Sequence, residues 1–167
     1  MGLFTKPIKN LDDLFVHTLQ DIYYAENQIT KALPQMIEKA SNPELKAGFE
    51  SHLRETHEQI TRLDQIFTAL NQPAKGVTCE AIDGIIKEAK EIISDVDDPA
   101  VLDVALASAV QAVEHYEISR YGTLIALARQ LGLNQITRPL QTTLDEEKAA
   151  DRKLTEIAEM RVNRKAA

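Results

Sequence analysis

Apolar residues recur along this chain at steps of three and four rather than two, which is the spacing of one helical face. From Leu11 to Lys39 the positions Leu11, Phe15, Leu19, Ile22, Ile29 and Leu33 form one such stripe. Asn10, or an Asp close by, offers an oxygen to cap the helix start, and Pro34 is expected to kink the last turns. Ser41-Asn42-Pro43-Glu44 reads as a second helix start. It supplies a capping side chain, a proline whose missing N–H costs nothing there, and then an acid at the positive end of the helix. That helix continues to Leu70 with Leu45, Phe49, Leu53, Ile60, Leu63 and Phe67 inward. Asn71 to Gly76 breaks the pattern, and a shorter amphipathic stretch follows with Ile82, Ile85, Ile86, Ala89 and Ile93 on one side. Asp97-Asp98-Pro99 restarts a long helix, apolar at Leu102, Leu106, Ala109, Val113, Leu124 and Leu131. Gly132 ends it as a C-terminal cap. The last helix begins between Asn134 and Thr137 and turns Leu140, Leu144, Leu154 and Ala158 inward.

Connection lengths convert these helices into a topology. The turns after the first and third long helices are only a few residues long, so each joins antiparallel neighbours. The middle connection, residues 71–98, can cross a bundle of about 40 Å, since about 28 residues at helical rise span that distance. The second and third long helices can therefore run parallel. The expected architecture is all-α: a ferritin-like four-helix bundle with one long crossover containing a short extra helix, as a single domain over residues 1–167.

Composition narrows the function. The 167 residues are 44% hydrophobic with 6 Gly, 6 Pro and no Trp, a balance that favours helices over sheet. With 26 acidic against 19 basic residues the net charge is −7, which argues against a nucleic-acid partner. The basic run Arg161 to Lys165 is short and complements a helix C-terminus. Cys79, the one cysteine, can form neither an internal disulfide nor a thiolate cluster and reads as a small packing residue. Met1 to Asn10 lacks a signal-peptide run, and no stretch approaches the roughly 20 apolar residues of a membrane span. A cytoplasmic protein with no membrane partner is expected.

Acidic residues inside the apolar stripes carry the candidate chemistry. At about 100° per residue, Glu26 lies about 20° from the centre of its stripe and Glu117 is similarly central. Glu147 and Asp151 continue the row of Leu140, Leu144 and Leu154, while Glu114 sits on the edge of its stripe. His52 falls on the inner shoulder of the second helix, Thr56 takes the centre, and Glu55 lies about 110° away. These acids fall near the middle of their helices and would meet at one height. Buried carboxylates repel one another unless something positive lies between them. One reading is a buried ion-pair network in which Arg120, near the stripe centre, pairs Glu117 or Asp151. The other is a metal site, favoured because one basic residue cannot neutralise four or five acids. Oxygen donors with one imidazole suit iron or manganese better than zinc, and a pocket this rich in carboxylates can hold two ions. His17, His57 and His115 read as surface or supporting groups. Tyr23, Tyr24, Tyr116 and Tyr121 read as core residues, one of which can bond a ligand carboxylate.

Several runs carry a resemblance: Tyr-Ala-Glu ending at Glu26, His-Leu-Arg-Glu-Thr-His from His52, Val-Glu-His-Tyr-Glu-Ile from Val113, Tyr-Gly-Thr-Leu from Tyr121, and Glu-Glu-Lys-Ala-Ala-Asp ending at Asp151. Through them nearly the whole chain resembles the YciE/YciF family of bacterial stress-associated, ferritin-like proteins, most closely its YciF branch. The resemblance implies a homodimer and a site similar to rubrerythrin-type dinuclear centres. Ferritin-like di-iron proteins usually place Glu-x-x-His on the second and fourth helices. This chain has His52-x-x-Glu55 and Glu147-x-x-x-Asp151 instead, while Glu114-x-x-Glu117 resembles rubrerythrin's paired third-helix acids. Fewer imidazoles make the site harder and more anionic, a setting that favours iron(III).

The expected metal residues are therefore Glu26, Glu117 and Glu147, with His52, Glu55, Glu114 and Asp151 completing or supporting them. The expected cofactor is two iron ions, with manganese as the alternative. Two functions remain open. One is a dinuclear carboxylate protein of the stress response that handles oxygen, peroxide or iron(II); the other is a structural or interaction protein whose metal only stabilises the bundle. Whether the chain is an enzyme is left undecided by the sequence.

Overall fold

The computed structural model describes residues 7–166; the start of the stretch read as free of a leader lies outside them. Five long helices follow one another: α1 (Leu11–Lys39), α2 (Pro43–Ala69), α3 (Glu80–Asp95), α4 (Pro99–Gln130) and α5 (Asn134–Ile157). A wide π turn (Ala158–Val162) and a final helical turn, α6 (Asn163–Ala166), complete the described chain. No strand occurs among the described residues, and no helix is long and apolar enough to cross a membrane.

The helix boundaries follow local chemistry. Asn10 accepts from the Asp13 N–H at 2.7 Å. Asn42 accepts from Glu44 and Leu45 ahead of Pro43, and Asp98 accepts from Ala100 and Val101 ahead of Pro99. Each satisfies amides that lack a partner in the first turn. At their far ends α2 and α4 close alike: the Gln72 N–H donates to the Phe67 carbonyl, and the Leu133 N–H to the Ala128 carbonyl. The residue between is left-handed in both, Asn71 at φ 52° and Gly132 at φ 72°, as this type of helix end requires. Pro34 sits on the exposed side of α1, and the helix continues past it to Lys39.

Cross-helix contacts define the topology. Tyr23 of α1 meets Asp64 and Phe67 of α2, and Gln111 of α4 meets Asp151 and Thr155 of α5, so both pairs are antiparallel. Tyr121 of α4 reaches Glu26, while Asp103 near its start reaches Ser41 beyond the end of α1. Gln59 and Arg62 of α2 reach Glu147 and Thr143 of α5. The four long helices thus form a ring in the order α1, α2, α5, α4, with every neighbour antiparallel and α2 parallel to α4. This is the ferritin-like bundle with one long crossover.

The crossover helix α3 packs on α1 and α4. Tyr24 donates to Asp83 at 2.9 Å, and the Val77 N–H donates to the Gln20 carbonyl at 3.2 Å. Gly76 lies so close to α1 that a β-carbon there would stand 2.9 Å from the Tyr24 β-carbon and 3.1 Å from its α-carbon.

Burial follows the apolar stripes with instructive exceptions. Leu11, counted inward, is 44% exposed. It precedes the point at which α2 and the crossover cover α1. Leu53 and Ile60 are only half-buried, and the polar His52, Thr56 and Gln59 take the fully buried line of α2. In α4 the buried arc is broad, running through Leu102, Leu106, Val110, Val113, Glu114, Glu117, Tyr121 and Leu124, because this helix packs against α1, α3 and α5 at once.

Candidate metal centre

Midway along the bundle, α1 contributes Glu26, α2 contributes His52, α4 contributes Glu114 and Glu117, and α5 contributes Glu147. All five are buried, the four glutamates completely. Oxygens of Glu26, Glu117 and Glu147 lie within 4.8 Å of one another, and so do donor atoms of His52, Glu114 and Glu147. Two triads share one carboxylate.

The charges of these acids lack partners. Among the described residues no lysine or arginine pairs with any of the four. Glu26 Oε2, both oxygens of Glu114 and of Glu117, Glu147 Oε2 and both ring nitrogens of His52 make no hydrogen bond. His52 Nε2 approaches Glu114 Oε1 at 3.4 Å, but burial pushes the imidazole down to about 4. It is therefore neutral at neutral pH and does not act as a counter-ion; this is also the form that ligates metals. Burial first, then the charge of Glu147, holds Glu26 well above the usual carboxylate range. Glu114 and Glu117 are raised likewise, by burial and then by their acidic neighbours. Glu147 is pushed up to about 7, again mainly by burial, with the close approach of Glu114 and the Gln59 hydrogen bond opposing.

Two polar side chains orient the cluster. The Tyr121 hydroxyl donates to Glu26 Oε1, and the Gln59 amide donates to Glu147 Oε1. Gln59 also reaches Glu146 at 3.2 Å, which Arg62 grips through two bonds of 2.6 and 2.7 Å. The Thr56 hydroxyl donates to the His52 carbonyl at 2.8 Å.

The remaining expected residues lie elsewhere. Asp151 is half-buried and accepts from Gln111, with His115 3.1 Å away. Glu55 is half-buried and accepts from Ser51 at 3.2 Å. Arg120, which the ion-pair reading would set against Glu117 or Asp151, instead pairs with Asp21 at 3.1 Å and stacks 4.9 Å over the Tyr116 ring. It points toward α1 because the breadth of the buried arc of α4 leaves the centre to Glu117. The Tyr116 hydroxyl donates to Asp21 and lies 2.9 Å from the Cys79 sulfur. Gln59 and Asp21 drew no attention in the sequence. A polar residue one turn from Thr56 on the inner line was the only signal for Gln59.

A cation fits this donor set. Unpaired carboxylate oxygens and a neutral imidazole in a dry interior are what a hard or borderline divalent ion needs, and four carboxylates match the charge of two such ions. Hydrogen bonds from Tyr121 and Gln59 leave one oxygen of Glu26 and one of Glu147 free for coordination.

Comparison with known proteins agrees with the fold. Residues 10–167 match the family described as a domain of unknown function, DUF892. The protein YciF of Escherichia coli (strain K12) is 46% identical over 160 residues, covering 95% of this chain and 96% of that one. Its crystal structure, described as that of a stress protein, superposes with a TM-score of 0.89 over 93% of this chain and 99% of its own. YcfI of Rhodopseudomonas palustris, for which a structural role is suggested, is 57% identical with a TM-score of 0.89, covering 92% of this chain and 98% of its own. A protein of Xanthomonas campestris pv. campestris shares the fold at 22% identity and a TM-score of 0.72, over 90% of this chain and 92% of that one. On the match over residues 10–167 and these likenesses, the chain belongs to the DUF892 family of YciF-like proteins.

Proposed function

We propose that this chain is a bacterial stress protein that holds two divalent transition-metal ions, iron or manganese, in the middle of its bundle. The observation that carries the reading is the meeting of two buried triads on Glu147 with, among the described residues, no basic partner for any of the four glutamates. Glu26, Glu117 and Glu147 would hold one ion; His52, Glu114 and Glu147 the other. Held there, two such ions would supply one-electron chemistry toward oxygen, peroxide or iron(II). The chain's own residues then have definable tasks. Tyr121 holds its proton toward Glu26, and Gln59 fixes the rotamer of Glu147. Leu19, Ile22 and Ile29 of α1 and Leu124 of α4 are fully or almost fully buried, so the helices that carry Glu26 and Glu117 turn an apolar face inward.

Elemental analysis of protein purified without added metal, followed by anaerobic titration with iron(II) or manganese(II), tests the proposal. Two ions per chain, reduced to none or one by Glu147→Ala, are expected. A chain that takes up neither metal would remove it.

A second reading has the suggested structural role of YcfI behind it: the ions lock the bundle and turn nothing over. It predicts a higher melting temperature on loading, with no consumption of oxygen, peroxide or iron(II). Measured turnover would exclude it.

A further inference from the structure

The two triads differ in their access to solvent. A cavity of about 160 Å³ lies between α2, α4 and α5, and its inner wall includes His52 and Glu114. Neither Glu26 nor Glu117 lines it. Small residues keep it open: Gly48 on one side and Ala150 on the other. The exposed Lys153 and the half-buried Glu55 both line it, so the cavity reaches solvent. At its floor, both nitrogens of His52 and both oxygens of Glu114 are buried without hydrogen-bond partners. A space of this size admits several waters, and so a partly hydrated ion.

We propose that this cavity is the port through which divalent cations enter the bundle: an arriving ion meets Glu55, passes to His52 and Glu114, and reaches Glu26 and Glu117 through the shared Glu147. The inference rests on the cation reading above and adds an order of filling to it. An ion leaving a hydrated mouth for a dry interior must exchange waters for protein donors one at a time, or it bears the full cost of desolvation. Glu55, His52, Glu114 and Glu147 form such a series. At the other end Glu26 is completely buried and accepts from Tyr121, itself fully buried.

Cobalt(II), whose visible absorption reports binding, is the probe. Wild-type protein is expected to take up two ions per chain, and Ala150→Leu, which fills the port, should slow both uptake and loss to a chelator by about tenfold or more while final stoichiometry stays unchanged. Glu55→Gln should slow uptake less, about threefold, by removing a carboxylate charge from the cavity lining. Ala126→Leu, the same enlargement on an exposed face of α4, should change nothing. Gly48→Leu fills the opposite wall and replaces Ala150→Leu if that variant loses its helical circular dichroism. Two ions bound at wild-type rates in the plugged variants would overturn the port and leave the metal centre standing. Failure of the wild type to bind any cobalt, iron or manganese would overturn both.

Discussion

Two groups of buried acids sit within this bundle, and they are solved in opposite ways. Asp21, on α1, is matched by the Arg120 guanidinium and the Tyr116 hydroxyl, and Asp103 is matched by the backbone and hydroxyl of Ser41 at 2.7 and 2.6 Å. Glu26, only five residues beyond Asp21, belongs to a cluster of four glutamates with many unbonded oxygens and, among the described residues, no basic partner. Burial alone therefore does not mark a site. What separates the two groups is whether the protein itself supplies compensating partners, a guanidinium for Asp21 and hydrogen-bond donors for Asp103. Where it does, the acid ties helices together; where it does not, the folded chain depends on protons or on an ion from solution.

Loading should break the symmetry between the groups most visibly. Iron(II) or manganese(II) at a hundredfold excess over its dissociation constant stabilises by about 2.7 kcal/mol per site, which for a chain of this length raises the melting temperature by about 5–10 °C. Scanning calorimetry with metal and with chelator measures it, and an unchanged midpoint would place the glutamates in the same class as Asp21.

Substitutions should then move stability in opposite directions. Asp21→Ala leaves the Tyr116 hydroxyl without its acceptor and should destabilise the metal-free protein by about 1–3 kcal/mol. Glu147→Gln removes a buried acid from among its like-charged neighbours and should leave the metal-free protein as stable or up to about 1 kcal/mol more so, while reducing binding to one ion or none. Urea unfolding with chelator present compares the two; a matching loss of stability in both variants would contradict the distinction.

The acidity of Glu147 gives a third contrast. Its carboxyl is raised to about 7 from an ordinary 4.5, so between those values the folded chain holds a proton that the unfolded chain releases. The contribution is present in full below the unfolded value and is lost as pH rises through the folded one. The melting temperature of the metal-free protein should fall as pH is raised from about 5 to about 8, and loading should flatten or reverse the slope because ligation favours the ionised form. The opposite slope in chelator would mean that the acids are compensated internally.

The smallest effect belongs to the orienting groups. Tyr121→Phe removes the hydrogen bond to Glu26 and should weaken binding by about 10–100-fold, mainly at the Glu26–Glu117 position. Calorimetric titration of the variant resolves it. Equal weakening of both ions would mean that Tyr121 acts on the bundle rather than on its nearest acid.

The sequence exposed most of the fold because its signals were local. Capping Asn42 and Asp98, prolines 43 and 99, and Gly132 bracket helices whose apolar steps are regular, and turn length does the rest. Of the centre, Glu26 and Glu147 were legible because α1 and α5 each bury a narrow stripe in which an acid stands out. Glu114 fell at the edge of its stripe yet is completely buried, because α4 is covered from three sides and one stripe does not describe it. The pairing of Arg120 with Glu117 or Asp151, on which the ion-pair reading would depend, does not form; Arg120 meets Asp21 instead. Gln59 stayed hidden since an inward glutamine carries no charge to betray it. The bond between Asp21 and Tyr116 joins residues 95 apart, and helical phase within either segment says nothing about such a pairing.

Gly76 carries a consequence that its surface loop disguises. The crossover leaves no slack against Tyr24, and Tyr24 precedes Glu26 by two residues. Even an alanine at position 76 must lift the loop or push α1, and a push displaces an oxygen that an ion would require. A blind mutational screen for loss of metal would therefore return position 76 beside the glutamates, although it offers no donor atom to the centre at all.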